Sequence, residues 1–368
     1  MRLLYLVKKE LIEIFRQKEL LPLLFIAPMI QIIVLGYVVK TDIEHVPVEI
    51  VNLSSNQAAH KIINRIVNTP LFDVKNISKE PPTAVMETLK KGKVKAVIVF
   101  RDSFDKKKSP LKYPEVQILM DGIDSNTSAI AAGYFNGIIK KYILEDIEST
   151  GLSLPVESKP LIRFNPELRS INYMGPGIVG LLLTILSLLL TSMSIVREKE
   201  QQTMDTLLIS RLTPFEIYLG KALPMGIIGL VQMGLGIMVV LLWFGIPVRG
   251  NIGYLFLSAV IFLAAILSYA LLISTITSTQ QQALFFAWFS MVMFILLSGL
   301  FTPVENIPPG LKFLAEINPV RHLIQIIREI FLKGNGIEYF AKELLALGTI
   351  AVVITSLSLL NFRRFVSK

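Results

Sequence analysis

Six apolar runs, at 20–39, 175–196, 222–244, 254–276, 283–301 and 344–360, contain no Asp, Glu, Lys, Arg or His. A helix that crosses a bilayer needs about 20 mostly apolar residues. Five of the runs come close to that, and the sixth is the shortest. They predict an α-helical polytopic membrane protein with six transmembrane helices. The run at 20–39 is too long and too far from the N-terminus for a cleaved signal. It is read as an uncleaved span.

Between the first two runs the pattern changes. Residues 40–172 alternate strand-like and helix-like stretches. Strands are expected at 46–53, 72–77, 95–100 and 116–120, and helices at 56–67, 82–91 and 126–147. That order predicts a compact α/β domain inserted between helices 1 and 2. The segment carries 19 basic and 16 acidic residues, so it is nearly balanced. The run Lys106-Lys107-Lys108 reads as a solvated turn or, less simply, an anion site.

The leader, 1–19, is amphipathic. Leu4, Val7, Leu11 and Ile14 recur at helical spacing, with Lys8, Lys9, Glu13 and Arg16 on another face. A helix lying on the membrane surface fits, and so does a plain extension of the first span.

Composition agrees with the pattern. The chain is 52% hydrophobic and only 18% charged, and it has no cysteine, which removes disulfides and thiolate sites from consideration. The net charge of +9 is assigned to topology rather than to nucleic acid. Arg2, Lys8, Lys9, Arg16 and Lys18 precede the first run. Arg197, Lys199, Arg211 and Lys221 follow the second, and Arg363, Arg364 and Lys368 follow the last. With six spans these groups share one side, the cytoplasm. Both termini are then cytoplasmic, 361–368 is a cytoplasmic tail, and 40–172 lies outside.

Two connecting segments stand out. Residues 197–221 begin with Arg197, Glu198, Lys199 and Glu200, then give helical apolar spacing at Met204, Leu207, Leu208 and Leu212 before Pro214. They read either as a docking surface for a cytoplasmic partner or as an ordinary interfacial loop. Glu198 is expected to pair with Arg197, Lys199 or a partner's cation. Residues 302–343, with Pro303, Pro308, Asn318, Pro319 and Arg328, are too apolar for a free loop and too charged to span. Partial re-entry into the outer leaflet is expected, with irregular backbone buried in protein. Inside the runs, Gln31 and Gln232 are amides at depth, either interhelical glue or groups lining a pathway.

Most catalytic chemistry is missing. Gly220-Lys221 lacks the upstream glycine and following hydroxyl of a phosphate-cradling loop. His45, His60 and His322 have no ligand spacing, so no metal is expected. Runs free of ionisable groups argue against a proton- or ion-coupled carrier.

The whole chain resembles the ABC-2 type transporter permeases, in the drug- and ion-efflux branch with a large extracytoplasmic domain. The resemblance rests on Lys9-Glu10-Leu11-Ile12-Glu13-Ile14-Phe15-Arg16 before a proline-bearing first span. It rests also on Arg197-Glu198 leading to Thr213-Pro214 and Gly220-Lys221. The last motifs are Phe301-Thr302-Pro303, Ile307-Pro308, Asn318-Pro319, Arg328 and Lys333-Gly334. Gln202-Thr203 stands where the family often has Gly-Thr, and Asn52-Leu53-Ser54 where an Asp is common.

The resemblance implies a permease subunit of the inner membrane, working by alternating access on an amphiphilic or apolar cargo, or on an ion. It implies a second permease subunit, identical or paralogous, contact with membrane lipids, and a cytoplasmic ABC ATPase subunit. ATP and magnesium would sit on that partner, with no cofactor in this chain. Arg197, Glu198, Glu200, Met204, Leu207, Leu208 and Leu212 would couple the two. Pro303, Pro308, Asn318, Pro319 and Arg328 would form the outer gate region. The competing class is a membrane-anchored sensor or assembly protein whose outer domain binds a ligand, for which six spans are excessive.

Overall fold

The computed structural model describes residues 2–38, 45–79, 87–89, 91–101, 116–120, 125–149, 170–209, 212–301, 304 and 307–366. They form two compact units, Met1–Lys40 with Ile162–Lys368, and Thr41–Leu161.

The smaller unit is built on a four-stranded sheet ordered β2-β1-β3-β4, with β1 Val46–Asn52, β2 Phe72–Ser78, β3 Ala96–Phe100 and β4 Val116–Met120. β1 pairs in parallel with β2 and β3, while β4 runs antiparallel to β3. The two central strands are apolar on both faces, as covered parallel strands must be. Val46, Val48, Ile50, Ala96, Ile98 and Phe100 pack on Ile62, Ile63 and Ile66 of α3 (Gln57–Val67) and on Phe135 of α4 (Ser125–Ser149). Val51, Val97 and Val99 face the other way. On that side Glu49 is buried but accepts hydrogen bonds from Asn76 Nδ2 (3.1 Å) and Thr88 Oγ1 (2.9 Å). The expected helix at 82–91 and the lysine run at 106–108 lie largely or wholly outside the described residues.

The larger unit is helical. It opens with α1 Arg2–Arg16 and α2 Pro22–Val38, whose first turn is π-helical. There follow α5 Ser170–Ser192, α6 Ser194–Glu200, α7 Met204–Ile209, α8 Pro214–Leu242 and α9 Ile252–Ile276. The last are α10 Gln280–Leu296, α11 Pro309–Glu316, α12 Pro319–Arg328, with a π turn over Glu329–Lys333, and α13 Ile337–Val366. α5 is central, packed against α2, α8, α9, α10 and α12. Its side of the core holds Ile178, Leu182 and Leu188, meeting Phe262 and Ile266 of α9 and Leu323 and Ile327 of α12.

Among the described residues, four helices are long and apolar enough to cross a membrane: Ser170–Glu200, Pro214–Leu242, Ile252–Ile276 and Ile337–Val366. Two shorter apolar helices, Pro22–Val38 and Gln280–Leu296, occupy the first and fifth runs. The fifth stops short of the run's end because the chain turns at Gly299, whose φ of +77° is left-handed. The helices also extend past the runs. α8 includes Lys221, and α13 includes Glu338, Lys342 and Glu343.

The amphipathic leader is helical, and of its expected apolar positions Ile14 is buried and Val7 and Leu11 are half-buried. Leu6, Glu10 and Ile14 face the bundle, whereas Leu4 is 72% exposed. A carboxylate sits in that stripe because a lysine waits opposite it.

Candidate functional site

Residues 197–200 leave the bundle as one helical turn, and each holds a different element. Arg197 Nη1 donates to Gln17 Oε1, just past α1, at a long 3.5 Å. Glu198 accepts from Lys221 Nζ of α8 at 2.6 Å and from Lys9 Nζ at 3.3 Å, and Thr203 Oγ1 donates to it as well. Lys199 Nζ donates to the carbonyls of Ser274 (3.1 Å), Thr275 (2.7 Å) and Thr277 (3.0 Å). These are orphan acceptors at the C-terminus of α9, where a cation also meets the negative end of the helix dipole. Glu200 accepts from the backbone N–H of Gln280 (2.9 Å) and from its side chain, at the start of α10. The front of the turn is tied too: the N–H groups of Ile195 and Val196 both donate to Ser274 Oγ at 3.0 Å.

The Glu198 contact belongs to a buried network. Lys221 is only 4% exposed, and its ammonium also donates to Glu10 Oε1 at 2.8 Å. Lys9 lies 2.9 Å from Glu10 and 3.0 Å from Glu13. Burial opposes the Lys9 charge, but Glu10, Glu13 and Glu198 more than offset it and raise its pKa above the ordinary lysine value. α1 can come this close because residue 220 is glycine. A Cβ there would fall 2.2 Å from Leu6 Cδ2. The dipeptide Gly220-Lys221 thus seats one helix on another, the glycine by absence of volume and the lysine by charge. A cavity of about 50 Å³ adjoins the network, room for a water or two. α8 itself starts on a capping box, with Thr213 and Glu216 exchanging hydrogen bonds and Pro214 at its first position.

Two expectations for this segment are corrected. Glu198 pairs with neither Arg197 nor Lys199; it is folded inward onto Lys221, which sequence spacing cannot reveal because the partners are 23 residues apart. Met204 is buried, and Leu207 and Leu212 pack beside it on Ile195, Ile217, Tyr218, Leu271 and Phe362 of this same chain. They are therefore not a free apolar face. The side chain of Leu208 lies outside the described residues. The apolar residue that does project is Ile209, 87% exposed, flanked by exposed Asp205 and Thr206. No sequence signal singled it out. Gln202, between α6 and α7, has φ +56°, which accounts for a glycine being common there in the resembled family.

Of the two amides, Gln232 makes an interhelical hydrogen bond. Its Nε2 donates to the carbonyl of Leu24 at 2.9 Å. Pro28, four residues on, has no N–H to give that carbonyl, and Gln232 fills the gap. Gln31 is exposed.

At the other end of the bundle, Pro303 lies outside the described residues. Pro308 is the N-cap of α11. Asn318 caps α12, accepting from Val320 N–H at 3.0 Å, while its Nδ2 donates to Phe294 O at 2.7 Å; Pro319 takes the first helical position. His322 is buried, with Nδ1 against Glu343 and Nε2 2.8 Å from Glu316 O. Both neighbours are acceptors. Arg328 Nη1 donates to Gly299 O at 3.0 Å, and its guanidinium lies 3.7 Å from the Tyr173 ring centroid. Among the described residues no group of three His, Asp or Glu side chains could hold a metal ion.

Comparison with known proteins bears on this arrangement. A family described as "ABC-2 family transporter protein" matches residues 18–360. The chain is 30% identical over 365 residues to "Probable multidrug ABC transporter permease YbhR" of Escherichia coli (strain K12), covering 99% of this chain and 98% of that one. It is 27% identical over 363 residues to "Probable multidrug ABC transporter permease YbhS" of the same strain, covering 97% and 95%. It is 23% identical over 361 residues to that strain's "Inner membrane transport permease YhhJ", again covering 97% and 95%.

Proposed function

The chain belongs to the ABC-2 family of transporter proteins, and from that premise we propose that it is the membrane-spanning permease subunit of an ATP-driven multidrug exporter. In this reading it is a multi-pass inner-membrane protein with six spans, the two shorter apolar helices included. Both termini are cytoplasmic and the α/β domain is outside. Two permease subunits, identical or paralogous, form the pathway, among membrane lipids. A separate ABC ATPase carries ATP and magnesium. No nucleic acid takes part. The cargo is amphiphilic or apolar, in keeping with the multidrug permeases it resembles.

The observation that carries the mechanism is the four-way tie at 197–200. A push on α7 from below is delivered through Glu198 to α1 and α8, through Lys199 to the end of α9, and through Glu200 to the start of α10. Such a joint converts one displacement into a concerted tilt of several helices, which alternating access needs. The ATPase contacts the exposed rim, Gln201, Gln202, Asp205, Thr206 and Ile209, while Met204, Leu207 and Leu212 transmit the load inward.

The test uses the permease co-expressed with its ATPase in inverted vesicles. ATP-dependent uptake of a fluorescent amphiphile is followed beside ATP hydrolysis. Ile209→Asp should abolish capture of the ATPase. Glu200→Gln should leave capture and hydrolysis intact and lower uptake. Normal uptake in both variants would remove 197–209 from the mechanism.

A further inference from the structure

One face of α12 and its π turn is polar in an otherwise apolar surrounding. Arg321, Gln325 and Arg328 recur at steps of four and three, and Lys333 follows. They line a cavity of about 300 Å³ together with Tyr173 of α5 and Glu329. That volume would hold about ten waters, several times a lone oxyanion.

The charge balance in the lining is uneven. Three cations face one carboxylate. Glu329 is already engaged by Lys333 and by Asn335 Nδ2 at 2.7 Å. Arg328 gives one good hydrogen bond, to Gly299 O, and reaches Leu300 O only at 3.5 Å. Its Nε is buried with no acceptor among the described residues. Among the described residues Arg321 Nε is buried without an acceptor as well. Glu316 approaches Arg321 Nη1 at 2.7 Å, but it is 62% exposed and its approach lacks hydrogen-bond alignment.

Buried guanidinium donors left unmatched are costly, and native structures give them a partner. A planar guanidinium is matched best by carboxylate or phosphate. Gln325 adds an amide donor, and the Tyr173 ring, Val304 and Leu332 add apolar wall. From these observations we infer that the Arg321–Arg328 cavity binds the phosphate head of an anionic amphiphile, its oxygens on the two guanidinium groups and its next atoms against Tyr173 and Leu332. The inference does not depend on the transport reading, since binding needs neither ATP nor a partner.

The experiment uses the full chain in phosphatidylcholine nanodiscs, reading thermal stability. Four probes are compared: inorganic phosphate, short-chain phosphatidic acid, the matching neutral diacylglycerol, and discs that contain long-chain phosphatidic acid. Short-chain phosphatidic acid should raise the melting midpoint saturably, and diacylglycerol should not. Arg321→Gln and Arg328→Gln should each weaken binding about tenfold or more. Arg321→Gln is the safer variant for folding, and Arg328→Lys keeps the charge while losing the fork. If long-chain phosphatidic acid in the disc abolishes the shift from the soluble probe, the occupant is a bilayer lipid. If the soluble probe still adds its full shift, the site takes a dissolved amphiphile. Inorganic phosphate binding as tightly as phosphatidic acid would assign the site to the oxyanion alone. Equal shifts from diacylglycerol, or unchanged phosphatidic acid binding in both Arg321→Gln and Arg328→Gln, would overturn the inference.

Discussion

The two ends of α5 make a pair. Past its C-terminus lies the Glu10–Lys221–Glu198 network, and near its N-terminus lies the Arg321–Arg328 cavity. Along one nearly continuous helical run, Tyr173 and Glu198 are roughly 35 Å apart at about 1.5 Å per residue. Both ends hold cationic side chains in protein. At the first, the buried ammonium of Lys221 has two carboxylates within 2.8 Å, and the adjoining space is about 50 Å³. At the second, two guanidinium groups keep Nε without a hydrogen-bond partner among the described residues, and the space is about 300 Å³. A completed network is suited to transmitting displacement, and one with donors left over beside a larger cavity is suited to a ligand. In the roles proposed above the first is a joint and the second a receptor, and what differs is how fully the chain itself pairs its cations.

The largest expected effect tests the joint. Lys221→Met removes the buried cation that Glu10 and Glu198 share and leaves them only the half-exposed Lys9. Breaking a buried pair in this way costs on the order of 3–5 kcal/mol, seen as a large drop in melting midpoint. Adding Glu10→Gln and Glu198→Gln should recover most of it. By contrast Arg328→Gln, which removes a cation with no carboxylate partner among the described residues, should cost only about 1–3 kcal/mol for its lost carbonyl contacts. Equal losses at the two ends would break the comparison.

Next is the seat of α1. Gly220→Val drives a side chain into Leu6, and overpacking of this kind costs about 1–3 kcal/mol. Adding Leu6→Ala should recover part of that loss in a double-mutant cycle of melting free energies.

Gln202→Gly should act in the opposite direction. It relieves a left-handed backbone at a non-glycine residue, worth about 1 kcal/mol of added stability, without touching either network.

The smallest effect is on pH. Lys9 has a raised pKa in the folded chain. Its contribution is fully present below the unfolded lysine value, about 10.4, and is lost as pH rises through the higher folded value. The melting difference between the native chain and Lys9→Met should stay constant from neutral pH to about 10 and shrink above it. A difference that shrank between pH 6 and 8 would place Lys9 outside the network.

Much of the fold was legible in the chain because its signals are local. The unbroken apolar run at 96–100 sets a strand covered on both faces, and the stretch at 57–67 a helix with one buried face. Asn318-Pro319 announces a helix start, and α12 begins there. The charged turn at 197–200 was recognisable as special from its placement after an apolar run, and Arg328 only from the resemblance of the segment that carries it to the family's final outer loop.

The partners were not legible. Glu198 looked like a surface acid because Lys221 follows it only after an amphipathic helix and a capping box, and Glu10 precedes both by nearly two hundred residues. Met204 and Leu207 have the spacing of a docking face, and spacing alone cannot say whether the groove they fill belongs to this chain or to another. In α1 the apolar count favoured Leu4, Val7, Leu11 and Ile14. In the structure Ile14 is buried and Leu11 packs beside it, but Leu6 and Glu10 take the place of Leu4, with the carboxylate facing Lys221.

By itself, then, the sequence determined where helices and strands lie, that the chain is a membrane protein, and that its charges collect at a few junctions. Those properties follow from periodicity and transfer free energy, which act over a turn or two of chain. Only the tertiary structure decided which charges meet, that Gly220 admits Leu6, that Gln232 reaches the carbonyl of Leu24, and that among the described residues two arginines beside a cavity keep buried Nε donors without an acceptor. Each depends on distances between residues far apart in sequence, and Coulombic and steric energies depend on those distances rather than on spacing along the chain.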